Sequence, residues 1–190
     1  EFNDSTGTSP DSTKWTFDLG NNGGWGNQEL EYYTNRPKNV SMDGNGNLML
    51  TAYSESYGGS SFTSGRIKTQ GLFAQAYGRF EARIKTPYGP GIWPAFWLLG
   101  SNVDTVGWPL CGEIDIMELR GQQPSIINGT VHDPISGFIG VTKAYGLQNS
   151  RFDQDYHIFA VEWTPTKIDF FVDNYLYQEI TSGNPLVKWV

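Results

Sequence analysis

The sequence predicts an all-β fold, and three observations support this prediction. Short segments in which apolar and polar residues alternate recur along the chain, with turn-forming residues between them. The 23 glycines and the 7 Trp, 10 Tyr and 11 Phe among 190 residues are the mixture expected of many short strands joined by Gly-rich turns. No segment has the pattern of a substantial helix, and the sequence has no internal repeat.

The first half of the chain alternates between loops and short strands. Residues 3–14 are rich in Ser, Thr, Asp, Gly and Pro, which predicts a surface loop. Residues 21–24, Asn-Asn-Gly-Gly, predict a turn, and residues 43–46, Asp-Gly-Asn-Gly, are a strong hairpin signal. Strands are expected at residues 15–17, 48–53, 63–69 and 78–85.

The second half carries longer predicted strands. Residues 165–166, Pro-Thr, and residues 173–174, Asp-Asn, predict two successive hairpin turns. Strands are expected at residues 91–100, 113–118, 127–132, 157–163, 167–172 and 175–180.

Residues 113–118 hold three carboxylates within six positions. Successive side chains of a strand point to opposite faces, so Glu113 and Asp115 share one face and the two isoleucines between the acids share the other. By this count Glu118 falls on the isoleucine face, where an unpaired carboxylate would be costly to bury. A one-residue β-bulge near residues 116–117 would shift the parity and place all three acids in one row.

Three like charges on one strand face repel each other, so a function explains them better than stability does. Retaining glycoside hydrolysis needs two carboxyls roughly 5–5.5 Å apart, one as nucleophile and one as proton donor. Counted across the bulge, Glu113 and Glu118 lie four strand steps apart, which is about 13 Å between Cα atoms at ~3.3 Å per step. We therefore expect the acids to stand on a concave face, where two long side chains can converge.

Composition narrows the classes of partner. A net charge of −7 argues against nucleic acid, which requires a basic surface. The charge fits a neutral substrate, and it fits equally well a secreted protein that its modest acidity keeps in solution. The sequence has no apolar run long enough to span a membrane and no signal peptide, so we expect no membrane partner and a removed export signal.

Cys111 is the only cysteine and stands next to the acidic segment. A cysteine nucleophile also needs a paired histidine. We expect Cys111 to be a small buried side chain instead.

Four stretches carry motifs of a known family. Residues 113–118 read Glu-Ile-Asp-Ile-Met-Glu, and residues 107–112 read Gly-Trp-Pro-Leu-Cys-Gly. Residues 91–100 read Gly-Ile-Trp-Pro-Ala-Phe-Trp-Leu-Leu-Gly, and residues 25–30 read Trp-Gly-Asn-Gln-Glu-Leu. Together they resemble glycoside hydrolase family 16 in its laminarinase (endo-β-1,3-glucanase) branch, whose active-site signature has one extra residue.

This resemblance implies a β-jelly-roll sandwich of two antiparallel sheets with a cleft on the concave face. It implies a retaining endo-β-1,3-glucanase of laminarin-like β-glucans, with Glu113 as nucleophile, Glu118 as acid and base, and Asp115 assisting. We expect residues 1–190 to form a single catalytic domain, incomplete at both ends relative to the family. We also expect the protein to be secreted, to be a monomer and to need no cofactor for catalysis.

Three tryptophans are expected to contact substrate. Trp93 and Trp97 share a predicted strand face, and tryptophan offers a sugar ring a flat apolar plate and an N–H donor. Trp93 is alternatively a core residue. For Trp97 and Trp108 the resemblance implies sugar contact.

Three polar residues complete the predicted site. The resemblance implies that Asn27 contacts sugar hydroxyls, and the alternative is an Asn that holds a turn. Arg66 resembles an arginine that bonds the sugar, and the alternative is an ordinary surface ion pair. His132 resembles a family histidine close to the catalytic acids, and the alternative is a structural histidine. Residues 133–140 depart from the Gly-rich loop that the family has after this histidine, which predicts an altered cleft edge.

The family often carries a structural calcium ion on its convex side. The resemblance points to Glu1 and to the backbone carbonyl near Gly44 as ligands. An aspartate that contributes to this site in the family would lie beyond Val190. Calcium takes six to eight oxygen ligands, so the site would then have fewer ligands than the family provides.

Two alternatives in function stay open. The first is another activity of the same family, such as mixed-linkage β-1,3-1,4-glucanase, agarase or carrageenase. The second is a non-catalytic β-glucan-binding module, although such modules usually have replaced catalytic acids and all three acids are present here.

Overall fold

The computed structural model describes residues 2–188, which form two compact units with the division between Ala74 and Gln75. Regular structure is almost entirely β, which confirms the predicted fold class. Within residues 2–188 the helical content is the four-residue helix α1 (Val103–Val106). In this range no helix is long and apolar enough to cross a membrane. That residues 1–190 act as one catalytic domain stays a prediction.

The first unit is built from short strands. They are β1 (Thr16–Phe17), β2 (Glu31–Tyr33), β3 (Val40–Met42), β4 (Leu48–Leu50), β5 (Tyr53–Tyr57), β6 (Ser60–Ser64) and β7 (Ile67–Lys68). Strands β1 and β7 pair antiparallel, as do β3 and β4, while β6 pairs antiparallel with β5 and parallel with β2.

The hairpin predicted at residues 43–46 joins β3 to β4, and the Asp43 carboxylate closes it by accepting the backbone N–H groups of Asn45 and Asn47. The strands predicted at residues 48–53 and 63–69 are each divided in two. The first is interrupted at Thr51, whose backbone N–H turns to the carbonyl of Asn39.

The second predicted strand, residues 63–69, is interrupted at Gly65. Its backbone passes so close to Val40 and Asn39 that an added Cβ would clash with both. Tertiary contacts of single residues, rather than the alternation of side chains, therefore set these boundaries.

The second unit contains the longer strands, in two four-stranded antiparallel sheets with the orders β12-β11-β10-β9 and β15-β14-β13-β8. The strands are β8 (Gly78–Ile84), β9 (Ala95–Leu99), β10 (Glu113–Leu119), β11 (Ile126–His132), β12 (Val141–Gly146), β13 (His157–Trp163), β14 (Lys167–Val172) and β15 (Tyr175–Thr181). Both predicted hairpin turns are present. Asp173 and Asn174 have φ values of 50° and 65°, the left-handed pair that suits a two-residue hairpin loop.

The two sheets of the second unit share one hydrophobic core. Side chains of β10 and β11 pack against those of β13, β14 and β15, as expected of face-to-face sheets whose inner residues interdigitate. The fully buried members include Ile116, Met117, Leu119, Ile127, Phe159, Val161, Phe170 and Val172. This core holds one face of β10 in place, so the opposite face is available for other chemistry.

Gly129 marks the point where β11 lies nearest to the opposite sheet. A Cβ added to this residue would lie 2.7 Å from Cδ1 of Phe170 and would also meet the hydroxyl of Tyr177. We predict that Gly129→Ala lowers the free energy of unfolding by about 1–3 kcal/mol, because overpacking forces the core apart.

Urea unfolding would measure this change. The matched control is Gly183→Ala, where an added methyl has no atom within 4 Å. Equal unfolding midpoints for the two variants would contradict the close packing of β11 on β14 and β15.

Candidate active site

Strand β10 contains the predicted β-bulge. Asp115 pairs with Trp97 of β9, and Met117 pairs with the next residue, Phe96, so Ile116 is the extra residue. The register with β11 shifts at the same place. Ile116 and Met117 are each 1% exposed and both lie in the core, which returns Glu118 to the side of the other acids.

The three carboxylates of β10 influence one another electrostatically. Burial is the largest cause that raises the pKa of Glu113, and the negative charge of Asp115 adds to it, so that this pKa is about 7. Burial also raises the pKa of Glu118, to which the charge of Glu113 contributes. For Asp115, burial and the charge of Glu118 outweigh a hydrogen bond from His132, and its pKa is raised as well. Glu113 and Asp115 therefore titrate as a coupled pair.

His132 is the cation of this cluster. It ends β11 directly opposite Glu113, its Nε2 lies 3.2 Å from Oδ2 of Asp115, and its Nδ1 lies 2.8 Å from the carbonyl oxygen of Gly137. Both ring nitrogens face acceptors, and only a doubly protonated ring can donate to both. Burial lowers the pKa of His132, but these two hydrogen bonds and the charge of Asp115 raise it to about 9.

Two tryptophans donate hydrogen bonds to the outer acids. Trp93 Nε1 lies 3.0 Å from Oε1 of Glu118, and Trp108 Nε1 donates to Oε2 of Glu113. Trp93 precedes β9 instead of lying within it, and its side chain is 50% exposed, which is not a core environment. Trp108 is 42% exposed, so both indoles hold a carboxylate and still present ring surface to solvent.

Trp97 lies across the sheet from Asp115, and Cys111 precedes Glu113 by two residues in the chain. Trp97 is partly buried on β9, beside Asp115 in the ladder. Cys111 is buried and free, and burial raises the pKa of its thiol. A thiol with a raised pKa is a poor nucleophile, in agreement with the expectation of a small buried side chain.

Asn27 and Arg66 belong to the first unit. The amide of Asn27 donates to Oε1 of Glu29, at 3.3 Å, in an exposed loop. Arg66 forms an ion pair with Asp18, with Nε 2.9 Å from Oδ2, and its guanidinium lies over the ring of Trp25. Their contact with substrate stays a prediction.

The predicted calcium ligands are divided between described and undescribed residues. Glu1 lies outside the described residues. Gly44 lies in the β3–β4 hairpin, where the neighbouring Asp43 carboxylate is already occupied by Asn45 and Asn47. Residues 2–188 contain no group of three His, Cys, Asp or Glu side chains arranged to hold a metal ion. The described carboxylates therefore do not by themselves form a calcium site.

Residues 133–140 contribute to the site in a way that sequence reasoning missed. Asp133 is 1% exposed, and its carboxylate accepts hydrogen bonds from the backbone of Ile135, Ser136 and Lys188 and from the Ser136 hydroxyl. The turn that it closes presents the carbonyl of Gly137 to His132. Asp-Pro followed by Ser is a turn signal that could have indicated the loop, but not the histidine that it contacts.

The sequence was compared with models of protein families. A family model described as "Glycosyl hydrolases family 16" matches residues 27–188. This range includes all the acids of β10, both exposed tryptophans and His132.

Individual relatives and structures agree with that match. A "Beta-glucanase" of Rhodothermus marinus is 42% identical over 172 residues, which are 88% of this chain and 59% of the relative. The laminarinase catalytic domain of Thermotoga maritima MSB8 superposes with a TM-score of 0.86 at 42% identity, covering 92% of this chain and 73% of that chain. The endo-β-1,3-glucanase of Pyrococcus furiosus superposes with a TM-score of 0.81 at 45% identity, covering 90% and 69%.

The contact between His132 and Asp115 can be tested by titration. Because the folded pKa of His132 is raised from 6.5 to about 9, the stability that it contributes is complete below pH 6.5 and is lost as pH rises through 9. We predict that Asp115→Asn lowers the pKa of His132, because the carboxylate that favours the imidazolium is gone.

Proton NMR of the histidine rings would measure this pKa in both proteins. His157, which pairs with Asp173, is the internal control, and its ring signals should be the same in both proteins. An unchanged His132 titration would show that Asp115 does not hold this proton.

Proposed function

This chain belongs to glycosyl hydrolase family 16, and we propose that it hydrolyses internal β-1,3 bonds of laminarin-like β-glucans with retention of anomeric configuration. The observation that carries the proposal is the bulged strand β10, which places Glu113, Asp115 and Glu118 on one side of the strand, near enough for their charges to raise one another's pKa. The β-glucanase and laminarinases to which the chain is similar supply the substrate class.

In the first chemical step, a carboxylate oxygen of Glu113 forms a bond to the anomeric carbon while the glycosidic C–O bond breaks. The proton of Glu118 moves to the leaving oxygen. In the second step, water attacks the same carbon, Glu118 takes a proton from the water, and the bond to Glu113 breaks. Two inversions at one carbon give net retention.

The surroundings of Glu118 favour its role as acid, whereas those of Glu113 act on its role in both directions. Burial keeps a proton on Glu118 to a higher pH than in an exposed glutamate, as a general acid requires. Glu113 must instead be ionised to attack, and its pKa is about 7 because it is buried beside Asp115. The hydrogen bond from Trp108 acts in the opposite direction and favours the carboxylate.

Asp115 and His132 act as a unit behind the nucleophile. Their contact at 3.2 Å places a positive charge next to the acid that neighbours Glu113. Asp115 orients Glu113 and tunes its pKa, and His132 limits the repulsion among three buried acids.

Flat aromatic side chains next to these acids are proposed to hold the substrate. Trp93 and Trp108 are exposed, and each donates a hydrogen bond from its indole N–H to a catalytic glutamate. Trp97 on β9 is proposed as a further sugar contact. Asn27 and Arg66 are proposed as polar contacts to hydroxyl groups.

Other features of the proposal follow from the family and the composition. The protein is proposed to be secreted and monomeric, with a polysaccharide as its partner and no catalytic cofactor. A structural calcium ion at Glu1 and the Gly44 carbonyl also remains a proposal, and no step of the reaction depends on it.

Measuring which polysaccharides are cleaved distinguishes this proposal from its alternatives. We predict that reducing ends are released from laminarin faster than from lichenan, and not from agarose or carrageenan. A sulfated carrageenan would favour a basic cleft, whereas the chain carries a net charge of −7. Binding of laminarin without any hydrolysis would instead indicate a sugar-binding module.

The same assay distinguishes the roles of the acids. Glu113→Ser should abolish hydrolysis with laminarin binding kept, and Glu118→Gln should lower kcat by roughly 10²–10⁴-fold, the usual contribution of a general acid. Glu179→Gln, an exposed glutamate of β15, is the matched control and should have normal activity. Retained turnover in Glu113→Ser would refute the assignment of the nucleophile.

A third prediction concerns the pH dependence of kcat/KM. The activity of the free enzyme should rise with pH as Glu113 ionises, because only its carboxylate can attack. Asp115→Asn removes a negative charge that raises the pKa of Glu113, so this rise should move to lower pH, with a lower maximal rate. A shift to higher pH would show that Asp115 does not act on Glu113 through its charge.

A further inference from the structure

The loop that follows β11 carries apolar side chains into solvent. Within residues 133–140, which we term the β11–β12 loop, Ile135, Phe138 and Ile139 are 58%, 72% and 86% exposed. Large exposed side chains in a group commonly mark a surface that meets a ligand. Of the three, Phe138 contacts Trp108 of the candidate active site, and this contact indicates which ligand that is.

The β11–β12 loop has a defined conformation. The Asp133 carboxylate receives four hydrogen bonds, and the backbone N–H groups of Gly137 and Gly140 donate to the carbonyls of Asp133 and Ser136. The backbone of a loop held in this way is ordered before a ligand arrives, which lowers the entropic cost of binding.

Phe138 extends the aromatic surface that begins at Trp108. Their ring centroids are 6.2 Å apart and their planes make an angle of 82°. Trp108 in turn donates its N–H to Glu113. Phe138 is therefore two contacts away from the proposed nucleophile, on a surface continuous with it.

We propose that Phe138 is a specificity-determining residue that contacts the sugar unit next to the one on Trp108 and favours β-1,3-linked chains. This inference rests on the proposed function. Successive rings of a β-1,4-linked chain lie nearly in one flat ribbon, whereas a β-1,3 linkage turns each ring relative to the last. The ring planes of Trp108 and Phe138 are close to a right angle, and they therefore match a β-1,3-linked chain better than a flat β-1,4-linked chain.

The test compares kcat/KM on laminarin and on lichenan, whose chains mix β-1,3 and β-1,4 linkages. Phe138→Ala should lower kcat/KM on laminarin by about tenfold, mainly through KM, because a contact made equally in ground state and transition state changes KM and not kcat. On lichenan kcat/KM should stay within about twofold of that of the unaltered protein, since β-1,3 linkages are less frequent in lichenan. Phe138→Tyr keeps the ring and should keep the preference.

Tyr175→Ala is the matched control, because Tyr175 is an aromatic residue, 62% exposed, at the start of β15 and outside the β11–β12 loop. It should change neither value by more than about twofold, and thermal unfolding of each variant would confirm that the fold is kept. If Phe138→Ala unfolds, Phe138→Leu takes its place and should show the same loss.

Each other outcome counts against the proposal. An equal loss on both polysaccharides, a loss of the same size in Tyr175→Ala, or full activity of Phe138→Ala would overturn it while leaving the proposed hydrolase function intact. If the unaltered chain cleaves no β-glucan, the proposed function fails and the inference about Phe138 fails with it.

Discussion

A strand that carries acids on one face and core residues on the other must alternate strictly, and β10 cannot do so, because Glu118 stands five residues after Glu113. The bulge at Ile116 resolves this conflict. It sends two consecutive side chains, Ile116 and Met117, into the core and returns Glu118 to the acidic face. Without it, either a carboxylate would be buried among apolar side chains or the core would lose its contacts with β13 and β14.

The acids that this strand gathers would destabilise each other if they stood alone. Their neighbours offset part of that cost through specific hydrogen bonds, with Trp108 on Glu113, His132 on Asp115 and Trp93 on Glu118. Each partner comes from a different part of the chain. Burial still raises the pKa of every acid, so the cluster retains protons at a pH where isolated carboxyls are ionised. The proposed chemistry uses that property, because one glutamate must give up a proton and another must be free of one.

Much of the fold could be predicted because alternation and turn residues act locally. The hairpins at residues 165–166 and 173–174 and the bulge near residues 116–117 are all present. The predicted strand at residues 91–100 was too long, and Trp93 lies before β9 rather than on its face. Its indole instead reaches Glu118 from a loop, and no local pattern reports such a contact.

The sequence by itself determined the all-β class, the acidic segment and the need for one irregular residue within it, because each depends on side-chain periodicity along a single strand. Only the tertiary structure decided which group faces each acid. His132 is positioned by the register of β11, and its second nitrogen is engaged by a loop that Asp133 holds closed. The contact of His132 with Asp115 crosses from one strand to the next, and its geometry follows from how the strands pair, which a linear pattern does not contain.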